Sequence, residues 1–211
     1  LHPLGSPECL RRRKADIIRP HVDELTMDQA RKDRLKTLFL DRAVKRGHFV
    51  LASGKTSSFY IDSKQVLFHP EALKLLGEGF VSLASDLDFA AVGGLEVGAL
   101  PLAATVVLAA FEKGRTLEGF FVRKQAKDHG SQKRVEGRVQ PGQRVLIIDD
   151  VLTTGSSADQ AVMAAEEAGL TVAGVVCIVD RQQGAKEKFA GRYPFRSLFT
   201  STDLGLVADP S

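Results

Sequence analysis

Residues 144–157 restrict the fold more than any other part of the chain. They read Arg144-Val145-Leu146-Ile147-Ile148-Asp149-Asp150-Val151-Leu152-Thr153-Thr154-Gly155-Ser156-Ser157. The unbroken apolar run Val145–Ile148 specifies a strand buried on both faces, as in a parallel sheet covered by helices. Two aspartates emerge at its carboxyl end. A Thr/Gly/Ser loop then opens a helix at about Ser156. Small residues let backbone N–H groups crowd around an anion, and the helix N-terminus adds partial positive charge. The hydroxyls of Thr153, Thr154, Ser156 and Ser157 are further donors. The loop therefore suits a phosphate monoester. The adjacent carboxylates suit sugar hydroxyls or a hydrated divalent cation.

The surrounding pattern agrees with an α/β chain. Apolar strands are expected at 89–93, 117–123, 144–149, 172–179 and 196–200, alternating with helices near 70–85, 98–112, 156–168 and 183–190. Such alternation predicts a parallel twisted sheet flanked by helices, with ligands beyond the carboxyl ends of the strands. Ahead of it, a helical face of Leu35, Leu38, Phe39, Ala43 and Val44 leads to two strand-like stretches, His48–Leu51 and Ser58–Asp62. There is neither an internal repeat nor a low-complexity linker. Two other phosphate motifs fail. No Gly-x-Gly-x-x-Gly follows a strand, and Phe49 stands where a P-loop ending in Ser53-Gly54-Lys55-Thr56 needs its first glycine.

Composition excludes several classes. The 211 residues contain two cysteines, Cys9 and Cys177, too few for a disulfide framework or a four-ligand zinc site. Cys177 lies in an apolar run and reads as a small buried hydrophobe. No apolar run reaches the ~18 residues of a membrane helix, and no signal-peptide core stands at the N-terminus. A cytoplasmic protein without membrane contact is expected. Residues 1–26 read as a tail, disordered or extra, with Met27 a natural start and 27–211 a single domain. The tail's five basic and four acidic side chains make Arg11–Lys14 a poor nucleic-acid patch.

The net charge of +3 is unevenly spread. Residues 123–138 carry six basic and two acidic residues, or +4, which leaves −1 for the remainder. Like charges so close repel unless an anion neutralises them.

The stretch Asp149–Gly155 resembles the phosphoribosyl-pyrophosphate (PRPP) motif of type I phosphoribosyltransferases. Phe121-Val122-Arg123-Lys124-Gln125-Ala126-Lys127-Asp128-His129-Gly130 is similar to the catalytic loop of orotate phosphoribosyltransferases, and Leu51–Lys64 to their N-terminal hood. The resemblance covers about residues 27–205. It implies the type I phosphoribosyltransferase fold with a small hood from about 27–65, completed by parts of the C-terminal segment. It also implies transfer of a phosphoribosyl group from PRPP to orotate, with Mg²⁺ held mainly by PRPP and reached by Asp149 and Asp150 through water.

By the same resemblance, Arg123, Lys124, Lys127 and His129 hold pyrophosphate. Asp149, Asp150, Val151, Leu152, Thr153, Thr154, Gly155, Ser156 and Ser157 bind the rest of PRPP. Lys124, Lys127, His129, Asp149 and Asp150 form the catalytic set. Phe59, Tyr60, Thr153 and Arg181 receive orotate: the two rings could stack on a flat pyrimidine, and Arg181 is a planar donor fork suited to a carboxylate. Ala52 replaces a lysine found in many members, for which Lys55 or Lys64 could substitute. Gly93–Pro101 is similar to the family's pyrophosphate loop, with Gly98 where some members carry lysine. The 123–138 loop reaches a neighbouring subunit's site in the family, so a homodimer is implied. The alternatives are a non-catalytic PRPP-sensing regulator, which could dispense with the basic loop, and a purine-base transferase, which would not combine the hood, Lys127–Gly130 and Asp180-Arg181.

Overall fold

The computed structural model describes residues 26–50, 56–125 and 133–206. Lys55, Lys127, His129 and most of the expected tail lie outside the described residues. The first helix, α1 (Gln29–Ala43), starts at Asp28, whose carboxylate accepts a hydrogen bond from the Arg31 amide at 2.8 Å. It buries Leu35, Leu38, Phe39 and Ala43, the predicted face, but Val44 opens the next strand. That strand, β1 (Val44–Val50), pairs antiparallel with β2 (Thr56–Ile61) as a separate two-stranded sheet. The Asp62 amide donates to the Ala43 carbonyl at 2.8 Å and ties the hairpin back to α1. A one-turn helix, α2 (Lys64–Leu67), follows.

The main body then runs α3 (Pro70–Leu83), β3 (Ala91–Leu95), α4 (Ala99–Glu112), β4 (Glu118–Val122), β5 (Val135–Gly137), β6 (Arg144–Leu152), α5 (Ser156–Glu167), β7 (Thr171–Asp180), α6 (Ala185–Phe189) and β8 (Phe195–Thr200). Pro70 sits in the first turn of α3, as expected. The strand order is β5-β4-β3-β6-β7-β8. All neighbours are parallel except β4 and β5, so the expected parallel sheet carries one antiparallel edge strand. Alternate residues of β6 serve opposite faces. Leu146 and Ile148 join the core beneath α1, α3 and α4, whereas Val145 and Ile147 join the core beneath α5 and α6. Cys177 is fully buried in the second core, which pushes its thiol pKa well up. Among the described residues no helix is long and apolar enough to cross a membrane.

Two boundaries move. Gly93 and Gly94 lie inside β3, not in a loop after it. A Cβ on Gly93 would stand 2.2 Å from the Phe120 carbonyl oxygen, and one on Gly94 2.0 Å from that of Ile148. Both glycines therefore serve close backbone approach within the sheet. The strand β6 also extends past its expected end at 149 to Leu152, so Asp150 is a strand residue as well as Asp149. From β3 the chain moves outward to β4, then returns to place β6 on the other side of β3. This reversal opens a crevice between β3 and β6 at their carboxyl ends, where α/β sheets bind ligands.

Candidate active site

Asp149 and Asp150 stand at this crevice. Asp149 is 5% exposed. Its Oδ1 accepts the Asp150 amide at 2.9 Å and its Oδ2 accepts the Ser157 hydroxyl at 2.6 Å. Burial, then the charge of Asp150, pushes the Asp149 carboxyl up to about 7, against those two hydrogen bonds. Asp150 is less buried. Its Oδ1 accepts the Val151 amide at 2.8 Å, and its Oδ2 accepts the hydroxyl of Ser63. Gly98 abuts it: a Cβ there would lie 2.8 Å from the Asp150 Cγ.

The loop 153–155 leads directly into α5. Gly155 is the N-cap at φ +77°, a left-handed conformation that favours glycine. A Cβ there would also approach Phe189 Cε2 to 3.0 Å, so the loop is packed against α6. The hydroxyls of Thr154 and Ser156 lie 2.8 Å apart on the exposed rim. The one carboxylate in the first turn of α5, Asp159, is paired with Lys188 at 3.3 Å and Arg192 at 3.2 Å.

One strand over, the Arg181 amide donates to the Leu152 carbonyl at 2.8 Å. Its guanidinium carbon lies 4.8 Å from the centre of the Phe59 ring. Its Nε is buried with no hydrogen-bond partner among the described residues, and burial lowers its pKa. Asp180 does not pair with it; that carboxylate accepts the Gln182 amide at 2.8 Å.

The other predicted residues separate. Phe59 is buried in the core and reaches the site through Arg181. Tyr60, next on the strand, is 40% exposed and lies against Phe49, with ring centres 5.8 Å apart. Arg123 forms an ion pair with Glu136 at 3.0 Å across β4 and β5. Lys124 has an exposed side chain, and its amide donates to Glu96 Oε1 at 3.0 Å. This bond links the basic segment to the 96–98 turn. Lys64 is paired with Asp62 at 3.0 Å and lies in the electrostatic field of Tyr60 and Asp150. Ser63 carries no sequence signal of its place in the site. Its contact spans 87 positions, and no local pattern signals it.

No group of three or more His, Cys, Asp or Glu side chains among the described residues could hold a metal ion. Two adjacent carboxylates are a donor set that fits a hydrated hard cation shared with a phosphorylated ligand.

Comparison with known proteins converges on one assignment. Residues 63–201 match the phosphoribosyl transferase domain family. An orotate phosphoribosyltransferase of Streptomyces avermitilis is 46% identical over 182 residues, covering 85% of this chain and all of that protein. One from Aquifex aeolicus is 38% identical, covering 82% of this chain and 97% of its own. The crystal structure of the Mycobacterium tuberculosis enzyme in complex with PRPP aligns with a TM-score of 0.72 at 36% identity, covering 83% of this chain and 99% of that one.

Proposed function

The chain belongs to the orotate phosphoribosyltransferases, which transfer the 5-phosphoribosyl group of PRPP to orotate, and we propose the following roles for its residues in that reaction. The observation that carries the assignment is Arg181: a half-buried guanidinium whose Nε has no hydrogen-bond partner among the described residues, one strand from an acid pair and an anion loop. A desolvated planar cation there favours a carboxylate. Orotate supplies one.

Backbone and hydroxyl groups of Thr153, Thr154, Gly155, Ser156 and Ser157 hold the 5′-phosphate at the start of α5. Asp149 and Asp150 grip the ribose hydroxyls. Breaking the C1–O bond builds positive charge on the sugar and negative charge on pyrophosphate, so the carboxylates favour the cationic ribose. Lys124, Lys127 and His129 neutralise the leaving group, with Arg123 beside them at the end of β4. Positioning and electrostatics supply the rate enhancement, without a protein nucleophile. When bound, Mg²⁺ would neutralise pyrophosphate oxygens, with Asp149 and Asp150 reaching it through water. Thr153 and Arg181 orient orotate, with Phe59 packed beneath the Arg181 guanidinium. The enzyme works in the cytoplasm as a homodimer whose 123–138 segment serves the neighbouring subunit.

Orotate, adenine, guanine, hypoxanthine and uracil are each to be incubated with PRPP and Mg²⁺ while pyrophosphate release is followed. Release with orotate alone is expected; release with a purine but not with orotate would overturn the reading. Shared sites have their own check. Lys127→Ala and Asp149→Asn, each inactive alone, should regain activity when mixed. Silent heterodimers of confirmed composition would exclude a segment working across subunits.

A further inference from the structure

We propose that Ser63 is a positioning residue that fixes the Asp150 carboxylate for ribose binding; this rests on the role given above to the acid pair. Ser63 precedes α2 at the N-cap position, where a serine hydroxyl ordinarily caps the amides of the first turn. It does not do so here. Its backbone is helical (φ −56°, ψ −27°), and its carbonyl, not its side chain, accepts the amides of Val66 and Leu67, each at 3.0 Å. The hydroxyl instead donates to Asp150 Oδ2.

Three features give this bond a directing role. Ser63 is 4% exposed, so water has little access to its hydroxyl, and losing the bond is not readily made good there. Its backbone is held by the start of α2 on one side and by the bond from Asp62 to Ala43 on the other, so the hydroxyl has a fixed origin. Asp150 has its remaining oxygen on the Val151 amide, and Gly98 offers no side chain to confine it. Among the described residues Ser63 is thus the side chain whose hydrogen bond selects the orientation of this carboxylate. Each carboxylate oxygen has a second lone pair, so the bond leaves acceptor capacity for a sugar hydroxyl. The link between β2 and α2 thereby acts on the ribose side of the site, although it contributes no atom to the anion loop.

The test compares Ser63→Ala, Ser63→Thr, Asp150→Asn and the double variant Ser63→Ala/Asp150→Asn, with PRPP affinity measured by calorimetry in Mg²⁺ beside steady-state kinetics. Ser63→Ala should weaken PRPP binding and raise its KM about tenfold, as for loss of a hydrogen bond to a charged group. The orotate KM should stay unchanged, and Ser63→Thr should restore PRPP binding to within about twofold of the parent, on the same scale. In the Asp150→Asn background the Ser63→Ala effect should largely vanish. Unchanged PRPP affinity in Ser63→Ala, with Asp150→Asn impaired, would overturn the inference and leave the acid-pair role standing. An undiminished Ser63→Ala effect in the double variant would also overturn it. Unchanged affinity in Asp150→Asn would overturn the acid-pair role itself. Should Ser63→Ala fail to fold, Ser63→Cys, with a weaker donor of similar size, is held to the same criteria.

Discussion

The two sides of the site are assembled in opposite ways. Apart from Ser63, the phosphate and ribose side is contiguous: strand β6, the acid pair, the Gly155 turn and helix α5 follow one another within residues 144–167. The base side is gathered from distant parts of the chain, with Phe59 on a separate hairpin and Arg181 beyond β7. A contiguous loop distributes its hold over many backbone donors at one helix terminus. A gathered site depends on single side chains whose geometry is set by other side chains. Binding on the first side should therefore tolerate loss of one hydroxyl of the anion loop, and binding on the second should not tolerate loss of its cation.

The largest effect is expected at Arg181. Arg181→Ala should raise the orotate KM by about 10²-fold, in keeping with removal of a charge-assisted bidentate contact. The PRPP KM should change little. Arg181→Lys keeps the charge but not the fork and should recover only part of the loss. An orotate KM unmoved by Arg181→Ala would remove the single-residue dependence that distinguishes the base side.

The same division decides what could be read in the sequence. The 144–157 segment was legible because apolar run, carboxylates, glycine and helix start all act locally and agree. Its one error, a strand ending at 149, is a matter of three residues of pairing with β7, whose register reaches Leu152 opposite Asp180. Gly93 and Gly94 read as loop residues because glycine favours turns. The structure uses them where neighbouring carbonyls leave no room for a Cβ, a condition set by β4 and β6. Strand β5 has three residues, stabilised by pairing with β4, and within a charged stretch it has no periodicity to detect. Arg123 was legible as a cation, but its partner Glu136 emerges only once β5 lies beside β4. Phe59 and Tyr60 are adjacent aromatics with the same sequence signal, yet neighbours on a strand face opposite ways, and Phe59 is the one beneath Arg181.

The acid pair offers a test of intermediate size, because the contiguous side is preorganised at a cost in stability. The Asp149 carboxyl is raised to about 7 in the folded protein, above its ordinary value. The folded state therefore binds this proton more tightly than the unfolded chain does, and stability falls as pH rises from about 4 to about 7. Asn in place of Asp149 keeps the shape and removes the titration. In metal-free buffer, Asp149→Asn should melt on the order of 5 °C above the parent at pH 8. That gain should shrink toward pH 5, where the parent's Asp149 is protonated. An equal difference at both pH values would mean that the buried carboxyl titrates normally.

The smallest effect, and the sharpest contrast with Arg181, is expected at Thr154. Its hydroxyl lies on the exposed rim, 2.8 Å from that of Ser156. Losing it removes one neutral donor among several, and water can take its place, so Thr154→Ala should raise the PRPP KM only about threefold. The orotate KM should be unchanged. The comparison lies in the ratio of the two losses: about 10²-fold for one side chain on the gathered side against a few-fold on the contiguous side. If Thr154→Ala instead weakened PRPP as severely as Arg181→Ala weakens orotate, the phosphate would depend on a single hydroxyl. The hold attributed to the backbone amides at the start of α5 would then be minor.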